Sequence, residues 1–187
     1  MLELFKQLDH QLFFFINSHY SAWCDQIVYG ITHTFFWVPL YLYLIYKIAI
    51  SLKKRTGLCL VACAVLITLC DQFSAGLVKP WAQRLRPCQE PEIQHIVHVV
   101  GKYTGAYGFI SSHAANTFGL AMFLWLLLRK QDSSIYLLFG WAASISYARV
   151  YGGVHYPSDV ILGALSGIVW AWFVYQAYAY LMAYSNH

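Results

Sequence analysis

Formal charge is absent from five long blocks of this chain: residues 26–46, 56–70, 103–128, 133–148 and 160–187 contain no Asp, Glu, Lys or Arg. A helix needs roughly 20 apolar residues to cross a hydrocarbon core, and several of these blocks approach or exceed that length. Only 11% of residues are charged and 59% are hydrophobic, against about 25% charged in an ordinary soluble domain. The chain is therefore expected to be an all-α, polytopic membrane helical bundle, one membrane-embedded domain over residues 1–187. The blocks predict five transmembrane helices near 25–51, 57–79, 112–129, 133–151 and 157–183. A helix over 3–19 is expected to lie in the membrane interface, because Leu2, Phe5, Leu8, Leu12 and Phe15 recur at helical spacing. Glu3, Lys6 and Asp9 argue against a first span there, and against a signal peptide.

Residues 80–110 form a connection far longer than usual, and such loops tend to be functional. The basic turns Lys53-Lys54-Arg55 and Arg129-Lys130 are assigned to the cytoplasm by the positive-inside rule. That assignment sets aside Lys79, Arg86 and Arg149 as residues with a chemical task. The N-terminus is then outside, and the 80–110 loop is extracytoplasmic. Cys59, Cys63 and Cys70 read as packing residues. Cys24 and Cys88 could share an aqueous side and form a disulfide, although sequence does not establish connectivity. A net charge of +4, dispersed along the chain, gives no footprint for nucleic acid.

The remaining polar residues fall into three clusters, which the topology gathers at one membrane face. KPWAQRLRP (79–87) leaves the second span, SSH (111–113) opens the third, and RVYGGVHYPSD (149–159) joins the last two. Gly152 and Gly153 can end a helix and Pro157 suits the first turn of the next. His155 therefore hangs at a turn, with Asp159 near N3, placed to reach one imidazole nitrogen. Ser111 or Ser112 can cap a helix whose N-terminus favours anions. Lys79, Arg86 and Arg149 add three cations, and Arg matches phosphate bidentately. Two histidines within such an anion site suggest phosphoryl transfer, with His155 as nucleophile and His113 as acid. No carboxylate cluster is available to hold a metal, so neither metal nor other cofactor is expected.

Lys79 and, after six residues, Arg86-Pro87; Ser111-Ser112-His113; and Arg149, His155 and Asp159 together resemble the three-part signature of the type 2 phosphatidic acid phosphatase family, relatives of the vanadium haloperoxidases. The resemblance implies dephosphorylation of a membrane lipid phosphate or diphosphate through a phosphohistidine on His155. Asp159 would orient that ring and His113 would protonate the leaving group. Lys79, Arg86, Ser111, Arg149 and the Ser112 amide would bind the phosphate. Within the family, a small bacterial chain of this shape looks like an undecaprenyl diphosphate phosphatase of the inner membrane, acting in cell-wall lipid recycling with its site facing the periplasm or exterior. Lipid A 1-phosphatase and phosphatidylglycerophosphate phosphatase are the alternatives. Residues 88–108 are expected to shape headgroup choice. Ile110, Ser112 and Ala148 depart from the usual Pro, Gly and Ser of the motifs, and a side chain at 112 restricts the backbone there.

Asp71 is expected either to pair with Lys79 or Arg149 or to line a wet pocket. Arg84 and Lys102 read as interfacial anchors, and His10, His19, His33, His95 and His98 as structural or surface residues. A membrane haem or quinone protein would need facing histidines within spans, and His33 has no mate. A transporter or non-catalytic lipid-binding protein would explain the cations but not the His155–Asp159 pair. A haloperoxidase would share the anion site but is soluble.

Overall fold

The computed structural model describes residues 2–184, with no strand pairing beyond a single bridge between Leu85 and Tyr107. Eight α-helices are described: α1 (Leu2–Asn17), α2 (Ala22–Thr32), α3 (Val38–Leu52), α4 (Thr56–Asp71), the single turn α5 (Lys79–Ala82), α6 (Ser112–Leu128), α7 (Leu137–Tyr151) and α8 (Pro157–Tyr184). The helical stretches Thr34–Ala82 and Pro157–Tyr184 are long and apolar enough to cross a membrane. The first is a hairpin. Lys53, at φ 49° and ψ −114°, ends α3, and Tyr41, Ile45 and Ile48 then face Ile67, Cys63 and Leu60 of α4 across one apolar cleft. Large apolar side chains cover the outside, among them Phe35, Leu42, Val61, Leu165, Phe173 and Tyr180. That surface suits lipid, where water would penalise it. The chain is a multi-pass membrane protein with an all-α bundle.

The expected helix over 25–51 is two helices. His33 is extended (φ −88°, ψ 123°) and a 3-10 turn, Thr34–Trp37, leads into α3. Pro39 supplies the reason: it lacks the N–H that a continuous helix would donate one turn back, and it is tolerated only near a helix start. Thr32 Oγ1 donates to the Val28 and Tyr29 carbonyls, and Trp37 Nε1 to the Ile31 carbonyl at 2.7 Å, closing the break. The stretch expected over 57–79 is helical throughout but widens to a π-helix at Gln72–Val78, a local form that recurs at functional sites.

Helices α6 and α8 form the most extensive pair, and small residues allow it. Gly163, Gly167 and Ala171 repeat every four residues along α8 and all are buried. A Cβ on Gly167 would lie 2.1 Å from the Ala115 carbonyl oxygen, and one on Gly163 would lie 2.5 Å from that of Ser111. Such small-residue stripes let two backbones approach closely without a hydrophobic drive from water. Ser111 N–H also donates to the Asp159 carbonyl at 2.9 Å, so the first turns of α6 and α8 are tied directly.

Helix α1 is present as expected but is docked against the bundle along one face. Asp9, Phe13 and Asn17 are buried at successive turns. Asn17 donates to the His98 and Tyr151 carbonyls, 2.7 Å each, and accepts from His98 N–H. Leu4, Phe5, Leu8, Leu12 and Phe15 remain exposed on the other side. All five cysteines are free thiols, so the Cys24–Cys88 disulfide is not formed.

Gly167→Val should lower stability by at least ~1–3 kcal/mol through overpacking. Gly140→Ala, where nothing lies within 4 Å of an added Cβ, should be neutral or slightly stabilising. Thermal unfolding of the two variants in detergent checks both.

Candidate active site

One cavity of about 570 Å³ opens where α4–α5, α6, α7 and the 102–107 segment meet. Asp71, Lys79, Arg86, Ser112, His113, Arg149 and His155 all line it. Residues from three separate stretches of chain thus converge at one end of the bundle. The basic turns at 53–55 and 129–130 lie at the opposite end, because α4 runs toward the cavity and α6 runs away from it.

Each side chain is placed by its element. The π-helix delivers Lys79, whose Nζ donates to Ser112 Oγ at 3.0 Å; the serine at this motif position therefore adds a partner for the lysine. Ser111 caps α6, accepting from Ala114 N–H at 3.5 Å, and is fully buried. It sits behind the cavity wall, unlike Ser112 and His113. Arg149, in the last turn of α7, is 7% exposed, and its Nε has no hydrogen-bond partner. A buried guanidinium without an acceptor is costly unless a partner arrives.

His155 follows the Gly152-Gly153 turn. Gly153 takes φ 72°, and a Cβ there would lie 2.6 Å from the His98 carbonyl oxygen, so only glycine fits. The imidazole is 1% exposed. Its Nε2 lies 3.2 Å from Arg86 Nη1, and its Nδ1 lies 3.5 Å from Asp159 Oδ2, close enough for attraction but without a formed hydrogen bond. Asp159 occupies N3 of α8 and reaches back to the Tyr156 N–H at 3.0 Å, the carboxylate half of a capping box. Asp159 is fully buried behind His155 and does not line the cavity.

Arg86 lines the cavity and is also a hub for the surrounding backbone: Nε donates to the Gly105 carbonyl, Nη1 to that of Val154 and Nη2 to that of Thr104. Asp71 lines the cavity but closes no ion pair with Lys79 or Arg149 among the described residues, which favours the wet-pocket expectation. Lys102 is exposed at the cavity rim. Arg84 corrects its assignment as an interfacial anchor: its Nη1 donates to Asp159 Oδ1 at 2.8 Å and its Nη2 to Asp9 Oδ2 at 2.6 Å. Sequence reasoning missed Asp9 as well. The available signal was Asp9, Phe13 and Asn17 at i, i+4 and i+8, a narrow second face on a helix read only for its apolar one.

Burial, then the charges of Arg86, Arg149 and Lys79, hold the His155 pKa well below its ordinary 6.5. The ring is neutral near pH 7, with a nitrogen lone pair available as nucleophile or base. The unfolded chain binds the proton below about pH 6.5 and the native state resists it, so this group makes stability fall as pH drops below that value, by up to ~1.4 kcal/mol per pH unit. His155→Asn should flatten that acid limb. Thermal unfolding from pH 7.5 to 4.5 for both proteins reads the difference.

A sequence model of the PAP2 superfamily matches residues 57–183, a stretch that contains all three clusters. The lipid A 4'-phosphatase of Bacteroides thetaiotaomicron is 39% identical over 178 residues, covering 94% of this chain and 79% of that protein. The lipid A 4'-phosphatase of Porphyromonas gingivalis is 29% identical over 181 residues, covering 96% and 76%. Among solved structures, Aquifex aeolicus LpxE superposes with a TM-score of 0.66 at 24% identity, over 90% of this chain and 95% of that one; the likeness shows the shared fold. By the matched region and by the similarity to these relatives, the chain belongs to the PAP2 superfamily and is a lipid phosphatase of that type.

Proposed function

We propose that the chain removes a phosphate monoester from a lipid A-type glycolipid at the outer face of a bacterial cytoplasmic membrane. The observation that carries the phosphatase chemistry is Arg149, a buried guanidinium with an unpartnered Nε in the same cavity as a neutral His155. A phosphate supplies the missing acceptor. Similarity over nearly the full chain to two lipid A 4'-phosphatases supports a lipid A-type substrate over undecaprenyl diphosphate and its cell-wall role, the reading first expected from the sequence.

The phosphate oxygens take Lys79, Arg86, Arg149 and the Ser112 amide, and the α6 N-terminus adds partial positive charge. His155 Nε2 attacks phosphorus, the bond to the lipid oxygen breaks, and His113 gives that oxygen a proton. Water then attacks the phosphohistidine, losing its proton to His113, and inorganic phosphate leaves. Asp159 holds the proton-bearing face of the ring through both steps. Side-chain cations neutralise the equatorial oxygens, the task metal ions perform in other phosphoryl-transfer sites.

The test is phosphate release by detergent-purified protein with EDTA present. The substrates are lipid A, undecaprenyl diphosphate, phosphatidylglycerophosphate and phosphatidic acid, and mass spectrometry identifies the lipid product. Lipid A should show the highest kcat/KM, unaffected by EDTA. Preference for another lipid would overturn the substrate, and dependence on added metal would overturn the mechanism. His155→Ala should lose at least about 10³-fold in kcat. His113→Ala should lose ~10²–10⁴-fold on lipid A but far less on p-nitrophenyl phosphate, whose leaving group needs no proton.

A further inference from the structure

Asp159 presents two oxygens, and they face different ways. Oδ2 takes the Tyr156 N–H and faces His155 Nδ1. Oδ1 takes Arg84 Nη1 at 2.8 Å. The same guanidinium donates to Ser158 Oγ at 2.7 Å and to Asp9 Oδ2 at 2.6 Å, and lies 4.1 Å from the centroid of the Tyr156 ring. Asp9 also accepts from Ser158 N–H at 2.9 Å and from Ser158 Oγ at 2.5 Å. Its helix supplies His10 and Phe13 against Tyr156, with ring centroids 4.9 and 5.4 Å away. Asp9 lies outside the 57–183 stretch matched by the family model, and Arg84 is no part of the three-part signature.

We propose that Arg84, held by Asp9 of the N-terminal helix, is a positioning residue that sets the His155 imidazole through Asp159. This rests on the phosphatase reading above. A fully buried carboxylate stays ionised only with a charged partner, and Arg84 is the cation bonded to Asp159. Its planar fork spans both carboxylates at once, a geometry that lysine cannot reproduce. With Oδ1 held, Oδ2 is left to retain the Nδ1–H tautomer and keep Nε2 aimed into the cavity, as an orienting carboxylate does for a catalytic histidine. Arg84 does not line that cavity, so it is not a phosphate ligand. It borders instead a second, polar cavity of about 760 Å³ between α1 and residues 83–92. A small cation from solution can therefore reach its position.

The experiment compares wild type, Arg84→Ala, Arg84→Lys, Asp9→Asn and Asp9→Asn/Arg84→Ala on lipid A. Arg84→Ala should lower kcat by about 10–100-fold with KM changed by less than about threefold. Arg84→Lys should show most of that loss, and Asp9→Asn should lower kcat more mildly. The double variant should be no worse than Arg84→Ala, since the two residues act as one unit. Guanidinium chloride at tens of millimolar should restore activity to Arg84→Ala several-fold and leave wild type unimproved. Wild-type kcat in Arg84→Lys and Asp9→Asn would overturn the proposal even if Arg84→Ala fails to fold. So would a KM effect with kcat intact, or independent, additive losses. Histidine nitrogen NMR separates this from the phosphatase reading. Nδ1-protonated His155 in wild type should give way to mixed tautomers in Arg84→Lys; an unchanged ring would refute the positioning role. Wild type that releases phosphate from no lipid refutes the phosphatase reading alone.

Discussion

The contact between α6 and α8 is the constraint on which the site depends. The carbonyls of Ser111 and Ala115 occupy space that any side chain at Gly163 or Gly167 would need. The Ser111 N–H closes the same junction by bonding to the Asp159 carbonyl. Two helix N-termini, one bearing His113 and the other Asp159, are thereby fixed at a separation set by backbone atoms. Backbone contacts have none of the rotamer freedom through which side-chain packing relaxes. The two histidines of the proposed reaction inherit that precision, since His155 sits two residues before the start of α8.

Electrostatics explains why the site lies where it does. Arg86, Arg149, His155 and Asp159 are all buried at one end of an apolar bundle, where isolated charges are expensive. Asp159 is compensated by Arg84, Arg86 by carbonyls of the 104–105 and 154 segments, and Lys79 by Ser112. Arg149 Nε and His155 Nδ1 are the buried site nitrogens with no hydrogen-bond partner among the described residues, and both belong to residues that line the cavity.

Much of this was legible in the chain. The expected helices 112–129 and 157–183 match α6 and α8 to within a residue, because the uncharged blocks marked the apolar stretches and the serines at 111–112 and Pro157 marked where the helices begin. The residues lining the cavity were legible because three helix-end clusters carry ionisable groups that an apolar chain would otherwise exclude. Three features were not. The break at His33 depends on a proline six residues later rather than on any polar residue. The π-helix before Lys79 leaves no compositional mark. Arg84 and Asp9 looked like ordinary interfacial charges because their partners lie about 75 residues apart in sequence, and only tertiary packing shows that both point inward.

The commitments of Arg86 bear on how tightly the proposed site would hold a phosphate. Its Nε is committed to the Gly105 carbonyl, its Nη1 to the Val154 carbonyl and His155 Nε2, and part of its Nη2 to the Thr104 carbonyl, so it cannot close a full fork on a bound oxyanion. In the proposed site a bound phosphate, on substrate or product alike, would therefore be gripped less firmly than three fully free cations would hold it.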